Sequence, residues 1–162
     1  MAISTNPRIL PLRPETLPEE LTARPQWVVW RAVGDKPDKV PHSVRSGRKA
    51  SSMDLMTWGT FREALKAYES GEYSGVGFVF SSGDPYTGID LDDCVDEEGE
   101  IAVWALEIVR HFDSYTELSA TGTGLHIIVR GQVPNRRKGD VEVYSSKRFF
   151  TVTGHTLGAN GD

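Results

Sequence analysis

Apolar residues recur along this chain with two different spacings, one typical of strands and the other of helices. Alternating or continuous apolar runs are the pattern of partly and fully buried strands, respectively. They predict eight strands, at residues 27–30, 39–42, 75–81, 87–93, 114–119, 124–130, 140–145 and 148–153.

Two segments instead repeat their apolar residues at helical spacing. The first begins at a capping-box pattern, Thr60-Phe-Arg-Glu63, and stops at Gly71. Its apolar positions are Trp58, Phe61, Leu65 and Tyr68. The second runs from 101 to 112, and we expect one buried face formed by Ile101, Trp104, Ala105, Ile108 and Phe112.

The order of these elements predicts an α/β chain of the α+β type. The strands after Asp113 follow one another without room for crossover helices, so we expect them to pair mostly antiparallel. Residues 1–25 hold five of the nine prolines and are predicted to form an irregular arm with a short helical turn at 19–22. We expect a single domain at 26–154, followed at 155–162 by the start of a linker to a further region.

Composition narrows the functional classes. The chain has 162 residues, a net charge of −5 and one cysteine, which excludes an internal disulfide and a cysteine-rich zinc site. It contains no apolar run long enough to span a membrane, so we expect no membrane partner and a cytoplasmic setting. Acidic residues concentrate at 84–100, and basic residues concentrate at 130–148.

Three aspartates stand unexpectedly in and after an apolar strand, in Gly-Ile-Asp-Leu-Asp-Asp-Cys at 88–94. Side chains alternate along a strand, so Asp90 and Asp92 share a face about 7 Å apart while Asp93 points to the other. Paired carboxylates suit hard cations such as Mg²⁺ or Mn²⁺. A solvated edge strand explains the pair equally well when it is taken alone.

Two later segments strengthen the cation hypothesis. His126 begins an apolar strand, after a turn rich in small hydroxyl residues and glycine at 119–124. Glu142 lies between two valines in another strand, where a buried acid needs a partner. Lys147 and Arg148 follow it closely, at a position suited to phosphate oxygens.

Taken in order, these segments resemble the archaeo-eukaryotic primase superfamily, and most of all the primase-polymerase modules of phage and plasmid replication proteins. The resemblance covers 26–154. It is carried by Ile-Asp-Leu-Asp at 89–92, Ser-Ala-Thr-Gly-Thr-Gly-Leu-His at 119–126, Val-Glu-Val-Tyr at 141–144 and Arg-Phe-Phe-Thr-Val-Thr-Gly at 148–154. Lys-Val-Pro at 39–41 and Thr-Trp at 57–58 also fit.

The resemblance implies an RNA-recognition-like sheet with flanking helices and an N-terminal αβ subregion. It also implies template-directed nucleotidyl transfer from NTPs or dNTPs on single-stranded or primed DNA in a bacterial host cell. Two Mg²⁺ or Mn²⁺ ions, and no zinc, would be held by Asp90, Asp92 and Glu142, with His126 contacting the triphosphate. Such modules commonly precede a helical region and a helicase domain.

Other polar residues are weaker candidates. Nucleotide contacts are predicted for Ser119, Thr121, Thr123, Lys147 and Arg148. Contacts with nucleic acid are predicted for Lys39, Arg48, Arg136, Arg137 and Lys138, of which the last three are expected in a polar loop.

Two other functions remain open at this point. A metal-dependent nuclease would use the same three carboxylates but would need no triphosphate site. A non-catalytic module that binds single-stranded nucleic acid would instead display aromatic residues on its sheet.

Overall fold

A computed structural model describes residues 9–34 and 38–157. The strands are β1 Trp27–Val33, β2 Asp38–His42, β3 Gly75–Phe80, β4 Tyr86–Leu91, β5 Tyr115–Leu118, β6 Leu125–Arg130, β7 Arg136–Lys138, β8 Val141–Tyr144 and β9 Arg148–Val152. The α-helices are α1 Glu19–Thr22, α2 Phe61–Glu69 and α3 Val103–Phe112. The start of the predicted arm, most of the turn after Gly34 and the end of the predicted linker lie outside the described residues.

The described strands form two sheets, and every strand pair named in them is antiparallel, as predicted. The first sheet has the order β2-β1-β3-β9, and the second has the order β5-β6-β4-β8-β7. The chain passes between the sheets from β3 to β4 and again from β8 to β9, since the two strands of each pair belong to different sheets. The chain is therefore α+β, with few helices.

An aromatic core fills the space beside the first sheet. Trp27 of β1 contacts Phe61 of α2 and Phe78 of β3 edge to face, with ring centroids 4.8 and 5.3 Å apart. The capping box predicted at Thr60 and Glu63 is confirmed at the start of α2. Burial of these large rings supplies most of the hydrophobic stabilisation of this region.

The second sheet contributes to the same core through one row of cross-strand partners, which we call the apolar row. The row consists of Tyr115, Ile128, Gly88 and Tyr144, on β5, β6, β4 and β8. Gly88 is required because a Cβ atom there would lie 2.5 Å from the Phe150 ring and 2.6 Å from the Phe80 ring. The aromatic rings of the first sheet therefore press directly on β4.

Helix α3 covers the opposite face of the second sheet, where Ala105 packs with Ile89, Leu91 and Ile127. The predicted buried face of this helix is partly wrong. Trp104 and Phe112 remain 37% and 42% exposed, and Ile101 and Ile108 are only partly buried. The short helix presents a narrow stripe to the sheet, so positions at the edges of the predicted face remain in contact with solvent.

The described part of the N-terminal segment packs on the fold. Leu17 and Leu21 are buried in the core, and the predicted turn at 19–22 is confirmed as α1. The amide of Arg13 donates to the carbonyl of Thr153 at 2.9 Å, and the Thr16 hydroxyl donates to the carbonyl of Gly154 at 2.5 Å. The segment is thus attached to the residues that follow β9.

The predicted polar loop at 136–138 is wrong, because these residues form strand β7 at the edge of the second sheet. Pairing with β8 holds three exposed basic residues in an extended conformation. Among residues 9–34 and 38–157, no helix is both long and apolar enough to cross a membrane.

Candidate active site

One cross-strand row of the second sheet carries almost only ionisable side chains, and we call it the charged row. Across β5, β6, β4, β8 and β7 it consists of Glu117, His126, Asp90, Glu142 and Arg137. Cross-strand partners project from the same face of a sheet, so these side chains lie side by side. On β6, β4 and β8, each residue of the charged row lies two positions from the residue of the apolar row on the same strand. Both rows therefore lie on the same face of the sheet, the one that contacts Phe150.

Three carboxylates converge beside the middle of this row. Asp90, Asp92 and Glu142 each offer an oxygen, and these oxygens lie within 4.8 Å of one another. Asp92 follows the end of β4, so the chain turns its carboxylate toward its neighbours more closely than strand spacing alone predicts. Asp93 has a φ of +51° and lies outside this cluster.

The electrostatics of the cluster favour a bound cation. Burial raises the pKa of Asp92, and the charges of Asp90 and Glu142 raise it further. Burial also opposes ionisation of Asp90, but His126 and the charge of Lys39 outweigh it and lower the pKa of Asp90. Partly buried carboxylate oxygens with this mutual repulsion fit a hard divalent cation, which would neutralise them.

His126 is buried between acids. Its Nε2 lies 3.4 Å from Asp90, and its Nδ1 lies 3.7 Å from Glu117 and 3.0 Å from the carbonyl oxygen of Thr151. The imidazole stacks on Phe150 with ring centroids 4.4 Å apart. Burial alone would lower the pKa of His126, but the two carboxylates raise it to about 9. Without a metal ion, the two neighbouring carboxylates therefore favour the protonated imidazole.

Glu117 is the member of the row that sequence reasoning missed. Its side chain is fully buried, and it accepts hydrogen bonds from the Tyr115 hydroxyl at 2.7 Å and the amides of Thr153 and Gly154 at 2.9 and 3.2 Å. The carboxylate thereby ties β5 to the end of β9, the strand that contacts His126. The available signal was an acid at an inward position of a predicted strand.

The hydroxyl-rich turn packs against the end of β4. The Ser119 hydroxyl is buried and accepts from the amide of Gly124 at 3.0 Å, while the Thr121 and Thr123 hydroxyls lie 2.9 Å apart. A Cβ atom on Gly124 would lie 2.5 Å from the Leu91 carbonyl oxygen, so glycine permits this close approach. The turn borders the carboxylates, but the hydroxyl of Ser119 already serves the turn itself.

The predicted cations divide into two groups. Lys39 acts on Asp90 through its charge, and Arg137 lies 3.4 Å from Glu142, so both belong to the surroundings of the carboxylates. Arg148 lies over the ring of Tyr144 at 5.5 Å, two residues along β8 from Glu142. The remaining predicted cations are exposed, namely Lys147 in the β8–β9 turn, Arg136 and Lys138 on β7, and Arg48 in the loop after β2.

A comparison with known proteins found a phage relative of this chain. The chain is 37% identical over 146 residues to a protein named DNA Primase-polymerase from Nitratiruptor phage NrS-1, an alignment that covers 85% of this chain. The chain spans about a fifth of the length of this relative, since the alignment covers 20% of it. No family model matches the chain. The resemblance to phage primase-polymerases is confirmed by this match.

Proposed function

We propose that this chain is the catalytic domain of a primase-polymerase that adds nucleotides to a DNA-templated 3′ end. The convergence of Asp90, Asp92 and Glu142 within 4.8 Å carries the proposal. The phage relative, whose name combines both activities, supports the proposal. The superfamily fold implied by the sequence motifs is part of the same proposal.

The carboxylates would hold two Mg²⁺ or Mn²⁺ ions. Ions bound there would activate the attacking 3′-hydroxyl and stabilise the departing pyrophosphate. The chain contributes the geometry, because β4 and β8 are directly paired and bring Asp90 opposite Glu142. Pairing of this kind fixes the ligands before any ion binds.

The surrounding cations would orient the triphosphate. Lys39 acts on Asp90 from β2, and Arg148, at the start of β9, lies over Tyr144, two residues along β8 from Glu142; from these positions they would neutralise phosphate oxygens. His126 holds its proton beside Asp90 and would offer it as a hydrogen-bond donor to the same phosphates. Thr121 and Thr123, at the edge of the hydroxyl-rich turn, would contact phosphate or sugar.

The basic strand β7 would hold DNA. Arg136, Arg137 and Lys138 are exposed on β7, and Arg137, which lies 3.4 Å from Glu142, can exchange Glu142 for a phosphate once that carboxylate holds an ion. Arg48 would extend this contact from the loop after β2. In a longer protein, helical and helicase regions would follow this domain, within the cytoplasm of the host cell.

The test is primer extension by the purified chain with primed DNA, dNTPs and Mn²⁺ or Mg²⁺. We expect extension by the wild type and a loss of at least about a hundredfold in Asp90→Asn. Asp93→Asn is the matched control, since it removes a neighbouring carboxylate outside the cluster and should retain activity. Degradation of the DNA in place of extension would favour the nuclease. Repeating the assay on unprimed single strands separates priming from extension.

A further inference from the structure

A groove on the surface lies between the loop at 50–58 and the β8–β9 turn. Two cavities of about 250 and 380 Å³ lie along it and share Ser52 and Lys147 in their walls. We propose that this groove binds a single strand of DNA beside the active site, with its bases against the loop and its phosphates against the turn. The inference rests on the proposed function and assigns a place to the template.

The two cavities along the groove are lined by positive charge and hydroxyls and by no carboxylate, while the one acid of the loop at 50–58, Asp54, accepts a hydrogen bond from the amide of Met56. Lys147 and Arg148 are exposed on one side, and serines from three segments supply hydroxyls. Three other cavities of the molecule each include an acid, for example Glu20, Asp96 or Glu100. In a chain of net charge −5, two adjoining cavities lined by Lys147 and Arg148 and by no acid are complementary to a polyanion.

The loop side of the groove is apolar and exposed. Met53, Leu55 and Met56 are 73%, 68% and 77% exposed, and Trp58 lines the inner wall. A cluster of exposed apolar side chains next to a cationic rim indicates a binding surface. Flat apolar and aromatic groups pair with the faces of unstacked bases, which a single strand presents and a duplex hides.

Hydrogen bonds within the loop hold this surface in shape. The Trp58 indole donates to the carbonyl of Ser51 at 2.7 Å, and the Thr57 hydroxyl donates to the carbonyl of Asp54 at 2.7 Å. The Asp54 carboxylate accepts from the amide of Met56 at 3.0 Å. The apolar side chains therefore project from a braced loop, which lowers the entropic cost of binding.

Both walls of the groove include residues that neighbour the surroundings of the carboxylates. Pro41 lines the groove and lies two residues along β2 from Lys39, whose charge acts on Asp90. On the other wall, Arg148 covers Tyr144, on the same strand as Glu142. A nucleotide bound at the carboxylates would use this inner end, whereas the apolar loop lies farther out, beyond Lys147. The whole groove fits an occupant that continues past the reacting nucleotide.

The experiment measures binding of fluorescein-labelled oligo(dT) by anisotropy in the presence of a chelator, so that no metal-dependent contact contributes. We expect Met53→Glu to weaken binding about tenfold or more, because it loses base contacts and adds repulsion. The matched control is Val103→Glu, which places the same charge on an equally exposed apolar position, 72% exposed, at the start of α3. This control should change the affinity by less than about twofold.

Leu55→Glu repeats the test at a second position if Met53→Glu lowers the melting temperature. Binding of a dNTP with Mn²⁺, followed by calorimetry, should be unchanged in both loop variants. Equal effects of the loop and control variants would overturn the proposal, as would a wild type that does not bind oligo(dT). If the loop variants lost dNTP binding but kept oligo(dT) binding, the groove would instead be assigned to the nucleotide. A wild type that binds oligo(dT) through the loop without extending a primer would leave the groove intact and refute the proposed activity.

Discussion

Two adjacent rows on one face of the second sheet differ completely in chemistry. The apolar row is a tightly packed part of the core, where Gly88 leaves just enough space for the Phe150 and Phe80 rings. The charged row, two residues farther along each strand, places His126 and three acids at neighbouring positions. The same paired strands thus contribute to the stability of the core through the apolar row and hold the ionisable groups through the charged row.

Phe150 connects the two rows. It packs above Gly88 and stacks on His126, although its strand belongs to the first sheet. The hydrophobic core therefore positions the imidazole directly. The ionisable groups are held in place by the packing beside them. A substitution in either row should therefore change a measurable property of the other.

The largest effect is expected where the charged row is most deeply buried. Glu117→Gln keeps the shape but removes a charge beside His126, and should lower the free energy of unfolding by about 3–5 kcal/mol. It should also lower the pKa of His126, measured by NMR. The measurement of stability is urea unfolding of the metal-free protein.

Asp84→Asn is the matched control for Glu117→Gln. Asp84 is also a buried carboxylate, which accepts from the amides of Ser81 and Tyr86 and from Gln26, each at 2.8 Å. It should cost stability, about 1–3 kcal/mol, without moving the pKa of His126. If both variants left that pKa unchanged, Glu117 would act only as a structural anchor.

The next effect is a pH dependence of stability that comes from His126. Its pKa rises from 6.5 in the unfolded chain to about 9 in the folded protein, so its contribution is fully present below about pH 6.5 and is lost as the pH rises toward 9. The loss should approach about 3 kcal/mol. Urea unfolding of wild type and His126→Gln between pH 6 and 9, with a chelator present, isolates this contribution. A difference between the two proteins that does not change with pH would contradict it.

The smallest effect is expected in the apolar row. Gly88→Ala places a methyl group against the Phe150 and Phe80 rings and should cost about 1–3 kcal/mol by overpacking. Gly83→Ala is the control, because the nearest atom to its Cβ, the Ser81 hydroxyl, lies 3.9 Å away. Displacement of Phe150 should also shift the NMR resonances of His126. Unchanged resonances in a destabilised Gly88→Ala would show that the rows are independent.

Much of the fold followed from local pattern. Eight of the strands and both longer helices were predicted near their observed positions, because period-two and helical repeats are properties of contiguous sequence. The pair Asp90 and Asp92 stood out for the same reason, as charges within an apolar run. Glu142 was identified as an acid between two valines.

The features of the fold and of the site that were not predicted depend on contacts between segments that are distant in the sequence. Strand β7 consists of three exposed basic residues without alternation, and pairing with β8 determines it. Glu117 receives hydrogen bonds from Thr153 and Gly154, 36 and 37 residues farther along the chain. Arg137 reaches Glu142 only because β7 lies beside β8. A local pattern contains none of this information.

Cys94 has a practical consequence. It is the only cysteine of the chain, is 3% exposed, and donates to the Leu91 carbonyl at 3.4 Å. Burial raises the pKa of its thiol to about 11, so the reactive thiolate is scarce at neutral pH. Alkylating reagents should therefore modify it only when the segment after β4 opens. The rate of labelling therefore reports local opening next to the strand that carries Asp90, and it can be measured without introducing another cysteine.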